Sequence, residues 1–292
     1  MKAAAFVYAR ATSVGDALAL LAEHGDQAKV LSGGQSLMPA MNLRLIAPQV
    51  IVDIGGIAEL RGITVNGDTL RIGALTRHVD LQRSPVIALY APLLAEAVAH
   101  VAHPAIRNRG TLGGSLAHAD PASELAACML ALGATLVVQS RGGERHIAAA
   151  DFFQGIFQTS LSDDELLVAV ELAVSRKGSV YFFHEFARRH GDYAIAGLAA
   201  EAIVEGSVFS GLRLAFFAVG DRPVLARAAN RLLNATVTPA LISQASAVLA
   251  EELDPQDDQQ ATSAMRRHLA KVLLGRCVAA LLFRPELAGG LA

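Results

Sequence analysis

The sequence predicts an α+β fold in two domains, and three observations support this. The chain has 292 residues, of which 53% are hydrophobic and 18% charged, so it can bury a sizeable core and is not extensively disordered. Short strand patterns alternate with helical patterns up to a linker-like break at 175–178. Beyond that break, strand patterns come first and helical patterns follow, which is typical of an antiparallel sheet covered by helices.

The first elements form a strand–loop–helix step. Ser13 is a suitable N-cap for a helix over residues 13–24, with Asp16 at the third position of a short capping box. A strand over 29–31 then runs into a glycine-rich loop, and a buried strand over 50–54 follows. Nucleotide-binding folds use such a step, but the chain has no G-x-G-x-x-G pattern, which disfavours a Rossmann dinucleotide site.

The middle of the chain predicts hairpins separated by helices. Thr76 is expected to cap a helix over 78–82, and Asp120 with Pro121 is expected to open a helix that ends at Gly133. The segment 111–115 is predicted to be a turn, because it contains adjacent glycines. The other predicted elements are a hairpin over 63–73, a helix from Pro92 to before His103, a hairpin over 134–148 and a strand over 166–174.

The last third predicts an antiparallel sheet followed by helices. Strand patterns cover 180–188, 194–204 and 212–219. Helical patterns cover 224–233, 239–252 and 261–282, with an acidic solvated loop at 254–258.

Composition excludes several classes of function. The net charge is −2 and no run of Lys or Arg is present, so neither a nucleic-acid nor a membrane-surface partner is expected. The longest uncharged apolar run, 125–138, is too short to span a bilayer, and no signal-peptide core develops at the N-terminus, so a cytoplasmic protein is predicted. Cys128 and Cys277 cannot supply the four thiolates of an iron–sulfur cluster. His100 and His103 lack a third metal ligand nearby, so no metal site is predicted.

Two glycine loops are the strongest functional candidates. The loops at 32–39 and 111–115 can each turn their backbone amides into a concave nest that binds anions. Together they suggest that two loops bind one phosphate-bearing ligand from two sides. The alternative is that both are plain turns, since Gly-Gly pairs also occur at 55–56, 142–143 and 289–290.

Four ordered runs of this chain resemble the FAD-binding medium subunit of the molybdenum hydroxylases, a family that includes aerobic carbon monoxide dehydrogenase and the flavin domain of xanthine dehydrogenase. The runs are Leu31-Ser-Gly-Gly-Gln-Ser-Leu-Met-Pro39 with Asn42-Leu43-Arg44, His103-Pro-Ala-Ile-Arg-Asn-Arg-Gly-Thr-Leu-Gly-Gly114, Ala119-Asp-Pro-Ala-Ser-Glu-Leu125, and Arg188-Arg-His-Gly-Asp-Tyr-Ala194. The resemblance covers nearly the whole chain. It implies an FAD-binding domain over 1–176, built of two α/β subdomains of the vanillyl-alcohol-oxidase or PCMH type. It also implies a C-terminal domain of antiparallel sheet plus helices over 177–292.

The resemblance also implies which residues hold FAD. The first loop and the second loop would clasp the pyrophosphate and ribityl region, and four further residues would contact the cofactor elsewhere. These residues are Ser32, Gly33, Gly34, Gln35, Ser36 and Leu37 in the first loop, Thr111, Leu112, Gly113, Gly114 and Ser115 in the second, and then Val101, Glu124, Leu167 and Tyr193.

Several of these positions have a second interpretation. Glu124 could instead be a first-turn carboxylate stabilised by the helix dipole, and Tyr193, implied to lie near the isoalloxazine, could be an ordinary strand tyrosine. The chain departs from the family at Glu185, where many relatives carry Lys, and at Ser115, where they often carry Asn or Asp.

The implied function is that of an electron-transferring oxidoreductase subunit. A large subunit with a molybdenum cofactor would oxidise the substrate, a small subunit would carry two [2Fe–2S] clusters, and this chain's FAD would pass electrons to an acceptor. The complex would be a doubled heterotrimer, that is, a heterohexamer. No catalytic acid, base or nucleophile is predicted, because the redox chemistry belongs to the flavin. The alternatives are a stand-alone FAD-dependent oxidase or reductase, with His184 or His190 as acid–base groups, and a flavin-free binding subunit.

Overall fold

The computed structural model describes residues 2–176 and 178–283 of the chain. Its main elements are three β-sheets, formed one after another along the sequence and covered by helices. This arrangement confirms the predicted α+β class. Within the described residues, no helix combines the length and the hydropathy needed to cross a membrane.

The first sheet has three parallel strands in the order β1-β3-β2. Ser13 Oγ accepts a hydrogen bond from the Asp16 amide at 3.1 Å and so caps the first helix, as predicted. Buried side chains of that helix and of β3 form a compact core, which fixes where β2 ends and the glycine loop begins. The elements are β1 (Val7–Arg10), α1 (Val14–His24), β2 (Ala28–Leu31), α2 (Leu37–Asn42) and β3 (Val50–Asp53).

The second sheet has five antiparallel strands in the order β4-β5-β10-β6-β7, and both predicted hairpins are present. Helices that connect its strands carry the second glycine loop. The elements are β4 (Ile63–Asn66), β5 (Thr69–Gly73), α3 (His78–Arg83), α4 (Pro85–Tyr90), α5 (Pro92–Val98), α6 (Pro104–Arg107), α7 (Leu112–His118), α8 (Glu124–Leu132), β6 (Thr135–Ser140), β7 (Gly143–Ala148), α9 (Ala149–Phe152), β8 (Phe153–Gly155), β9 (Gln158–Thr159) and β10 (Leu166–Ala173).

The third sheet is antiparallel, in the order β11-β12-β13-β14, and two long helices cover one of its faces. The three long strands and both helices are present where the sequence predicts them. The elements are β11 (Ser179–Phe186), β12 (Ala196–Glu205), β13 (Val208–Phe217), β14 (Val224–Leu225), α10 (Pro239–Glu252) and α11 (Ser263–Phe283).

Helix α8 joins the two larger sheets through one core. Every residue from Leu125 to Ala131 is buried, so the helix has no solvent-exposed face along that length. Phe183 and Phe217, which come from the third sheet, belong to the same buried cluster as the α8 side chains. The opposite face of the third sheet packs against α10 and α11 in a separate cluster.

Two predicted helix caps and one predicted helix are wrong. Asp120 does not cap α8, because its Oδ1 accepts from the Ala122 amide in a local turn and the helix begins only at Glu124. Thr76 does not cap α3, because its hydroxyl is bonded to the backbone of Gly62. The predicted helix over 224–233 is instead a short edge strand followed by a 3₁₀ segment, because the chain there completes the sheet edge.

Candidate functional site

The loop between β2 and α2 presents a row of free backbone amides. In the described part of the chain, the amides of residues 33–37 donate to no protein acceptor, whereas the next amide, of Met38, donates to Gly34 O. Gly34 has φ +72°, a left-handed conformation that glycine adopts at little cost, and this conformation turns the chain into the loop. The loop therefore leaves a row of amides available to an external acceptor, which an anion-binding nest requires.

The second loop is built differently from the prediction, because 111–115 is not a turn but the start of helix α7. Thr111 caps this helix, and its Oγ1 accepts from the Gly114 amide at 3.1 Å. The amides of Leu112, Gly113 and Ser115 donate to Thr76 O, Ala74 O and Thr111 O. A helix start must satisfy these amides, and here the chain itself does so, so the predicted second amide nest does not form. This loop instead presents hydroxyl groups.

The two loops touch one another. Ser32 Oγ lies 2.7 Å from Thr111 Oγ1, a hydrogen bond that joins the end of β2 to the start of α7. A Cβ atom on Gly33 would collide with the carbonyl oxygen of Arg109, and one on Gly113 would lie 2.5 Å from Ala74 Cβ. These two glycines are therefore required for close packing. The predicted juxtaposition of the loops is present, and their hydroxyl groups meet beside the amide nest.

His78 is buried and supports the second loop. The sequence predicts it only as part of a helix. His78 Nε2 lies 3.0 Å from Thr111 O and 3.0 Å from Ser115 Oγ. Burial lowers the pKa of His78 to about 4, so the ring is neutral at pH 7. A carbonyl oxygen can only accept, so Nε2 carries the proton. No sequence signal marks this residue, because a lone histidine at a helix start has no distinctive spacing.

Arg107 holds the segment that contains Val101. Its Nη1 donates to Val101 O and Ala102 O, both at 2.9 Å, and to Ala99 O at 3.3 Å. Its Nε donates to Gln82 Oε1 at 3.2 Å. The guanidinium thus fixes a turn in which Ala102 has φ +44°, a strained conformation for a residue with a side chain. Val101, a predicted cofactor contact, is positioned by this arginine, which is part of the His103–Gly114 run.

An acidic cluster lies beyond this turn. Glu185 of β11 places Oε1 3.5 Å from His100 Nδ1, across the boundary between the two larger sheets. The hydrogen bond to Glu185 raises the pKa of His100. Burial, reinforced by the negative charges of Glu185 and Asp120, raises the pKa of Glu124 to about 8. Glu124 is therefore mostly a neutral acid at pH 7.

Two further predicted cofactor contacts differ in their exposure to solvent. Tyr193 is 63% exposed on the β11–β12 loop, whose Gly191 packs against the ring of His103. Leu167 is buried in the same core as Leu112.

The histidines considered for acid–base work do not converge on one site. His184 faces α11, where its Nε2 lies 3.4 Å from Arg276 Nη1, while His190 stands 5.7 Å from His100, measured between ring centres.

The raised pKa of Glu124 predicts how stability depends on pH. The folded chain holds this proton with a pKa of about 8, against 4.5 for an ordinary glutamate, so the unfolding free energy falls as pH rises through that interval. For the cofactor-free chain, Glu124→Gln should remove this loss, which amounts to about 5 kcal/mol over the whole interval. Urea unfolding at several pH values measures it, with the exposed Glu144→Gln as control. An unchanged pH slope in Glu124→Gln would contradict the assignment.

Two family models match this chain. Residues 4–174 match the FAD binding domain in molybdopterin dehydrogenase, and residues 181–281 match the CO dehydrogenase flavoprotein C-terminal domain.

Curated relatives match over almost their full length. The 6-hydroxypseudooxynicotine dehydrogenase complex subunit alpha of Paenarthrobacter nicotinovorans is 40% identical, with 97% of each chain covered. The caffeine dehydrogenase subunit beta of Pseudomonas sp. (strain CBB1) is 38% identical, covering 96% of this chain and 95% of the relative. The carbon monoxide dehydrogenase medium chain of Hydrogenophaga pseudoflava is 34% identical, covering 94% and 96%.

Solved structures agree with the fold. A carbon monoxide dehydrogenase chain from Hydrogenophaga pseudoflava superimposes with a TM-score of 0.95 at 35% identity, covering 97% of this chain and 99% of that one. A chain of quinoline 2-oxidoreductase from Pseudomonas putida 86 gives 0.90 at 36% identity, covering 97% and 98%.

Proposed function

Because the chain belongs to the FAD-binding medium subunits of the molybdenum hydroxylases, an oxidoreductase family, we propose that it binds FAD between its two glycine loops and transfers electrons. Those electrons would come from [2Fe–2S] clusters of a partner subunit and leave to an external acceptor. When bound, FAD would supply the redox chemistry of this transfer. The chain's own residues bind, orient and enclose it.

The observation that carries the proposal is the row of free amides over 33–37. A pyrophosphate carries negative charge and several acceptor oxygens, and hydrogen bonds from backbone amides to such an anion are strong. The paired hydroxyls of Ser32 and Thr111 stand next to this nest; one O–H is used between them, and the other is a suitable donor to a phosphate or ribityl oxygen. The fit between donor set and cofactor thus rests on the first loop's backbone and on the hydroxyl groups between the loops.

Other residues would contact the rest of the FAD molecule. Arg107 holds Val101 in place, and the β11–β12 loop, which carries Tyr193, packs against His103 at Gly191. We infer that these residues and Glu124 surround the flavin ring, while Leu167 contributes only from the core. Neutral His78 orients the Ser115 hydroxyl at the second loop.

The cysteines support a division of labour between subunits. Cys128 and Cys277 are both buried as free thiols, and burial raises the pKa of each. Within the described part of the chain, no group of histidine, cysteine and acidic residues is arranged to hold a metal ion. An FAD chain of this kind needs its clusters from a partner, and relatives are named as medium chains or lettered subunits. We infer a small iron–sulfur subunit and a large molybdenum subunit, assembled as a doubled heterotrimer.

Purification of the tagged chain from its native cells tests this assembly. The expected result is co-elution of two further chains, one with iron–sulfur absorption and one with molybdenum, together with stoichiometric FAD. An untagged strain is the control for background binding. A yellow chain that elutes alone with full substrate turnover would instead establish a stand-alone oxidase or reductase, and a colourless chain would establish a flavin-free subunit.

A further inference from the structure

Glu185 has a buried carboxylate oxygen without a partner. Its side chain is 5% exposed, Oε1 faces His100, and Oε2 has no hydrogen-bond partner in the described structure. Buried side-chain oxygens almost always have a partner, because leaving one unpaired costs the full desolvation penalty of that group. The site therefore lacks a donor.

The surrounding chain does not provide that donor. On the same face of the third sheet, Glu185 is paired in register with Gly197, and Gly197 with Phe217, so its row offers only apolar atoms. Helix α8 approaches with Glu124, whose raised pKa responds to the charge of Glu185 but which makes no hydrogen bond to it. Among the described residues, the ion pair of Glu185 is with His100, and it engages Oε1.

Charge indicates which part of an FAD molecule could approach this oxygen. The free amides over 33–37 attract the anionic pyrophosphate, whereas the negative charges of Glu185 and Asp120 repel it. A neutral ring of FAD therefore fits at the acidic end, and the proposed function assigns the flavin ring to this end because Glu124, whose pKa responds to the charge of Glu185, is proposed to lie beside it. In oxidised flavin, the ring carries a single N–H group, the imide nitrogen between its two carbonyls.

We propose that Glu185, positioned by His100, accepts a hydrogen bond from the imide N–H of the flavin ring. This rests on the proposed function, since it assumes that the chain binds FAD. The contact would tie the cofactor to the third sheet, while the glycine loops hold it to the first two. Glu185 would then be a binding residue and His100 a positioning residue.

The test compares FAD with 3-methyl-FAD, which differs only by a methyl group on the imide nitrogen. The chain is stripped of flavin, and each dissociation constant is measured by fluorescence titration. A hydrogen bond to a charged acceptor corresponds to roughly a tenfold to hundredfold change in affinity, so the wild-type chain should bind 3-methyl-FAD at least tenfold more weakly. Glu185→Gln should show a smaller difference, and Glu185→Ala a difference below about twofold.

Glu201→Gln is the matched control, because Glu201 is a half-buried glutamate of β12 bonded to Ser179 and Tyr181. It should discriminate as the wild type does. Equal wild-type affinity for the two flavins would overturn the inference, and so would discrimination that persists in Glu185→Ala. If Glu185→Ala does not fold, Glu185→Gln takes its place, and discrimination by Glu185→Gln equal to that of the wild type would overturn the inference. Failure of the wild-type chain to bind FAD at all would instead overturn the proposed function.

Discussion

Gly34→Val should leave a folded chain that has lost its FAD. Gly34 has φ +72°, and valine is strongly disfavoured there, so the loop must change conformation and its free amides must turn away from a common point. Each hydrogen bond from an amide to a charged phosphate is worth roughly 1.5–3 kcal/mol. Loss of two such bonds weakens FAD binding by at least about a hundredfold. Flavin absorbance per chain after gel filtration measures the outcome.

Gly206→Val is the matched control. Gly206 also has a positive φ, +64°, and lies in the β12–β13 turn with open space around it, so it has a similar backbone cost but no connection to the nest. It should retain FAD. Gly113 is not a suitable test site, because a side chain there meets the backbone of Ala74 and would disturb folding itself. Stoichiometric FAD in purified Gly34→Val would refute the role of the nest.

Arg107→Leu should lower both stability and cofactor affinity. The guanidinium is buried and donates to three backbone carbonyls and to Gln82, so its removal leaves the buried Val101 carbonyl and three part-buried acceptors unpaired. We expect the free energy of unfolding to fall by about 3 kcal/mol. The turn at Ala102, no longer held, would release Val101 and weaken FAD binding.

Urea unfolding of the flavin-free chain, followed by circular dichroism, measures the stability change. Arg109→Leu serves as control, because Arg109 is exposed in the same run and its replacement should change stability by less than about 0.5 kcal/mol. If the free energy of unfolding falls no further in Arg107→Leu than in this control, the turn is stable without the guanidinium.

Strong local signals made much of the fold predictable. Periodicity and capping residues located α1, both hairpins of the second sheet and the long strands of the third. The errors fell where a side chain had two possible partners. Asp120 and Thr76 are good capping residues by type, yet each bonds to nearby backbone instead. Sequence spacing could not reveal that choice, because it depends on where the neighbouring segments pass.

The candidate site was predictable in its loops but not in its supports. The run around Gly33 and Gly34 indicated an amide nest, and the amides of residues 33–37 have no acceptor in the described part of the chain. The similar run at 111–115 indicated a second nest, but its amides complete a helix start against Ala74 and Thr76. Nothing in the sequence indicated that buried His78 supports this second loop. Such contacts join segments distant in sequence, so they appear only once the chain is folded.

The core around α8 limits how a chain of this kind can exchange parts with its relatives. The break near residue 178 separates two blocks of sequence, and a recombination event there would leave each block intact. Yet α8, in the first block, is buried against Phe183 and Phe217 from the second. A C-terminal block from a relative would bring aromatic side chains fitted to a different helix. We therefore expect the buried surface of α8 and the face of β11 to β13 that packs against it to be exchanged only together.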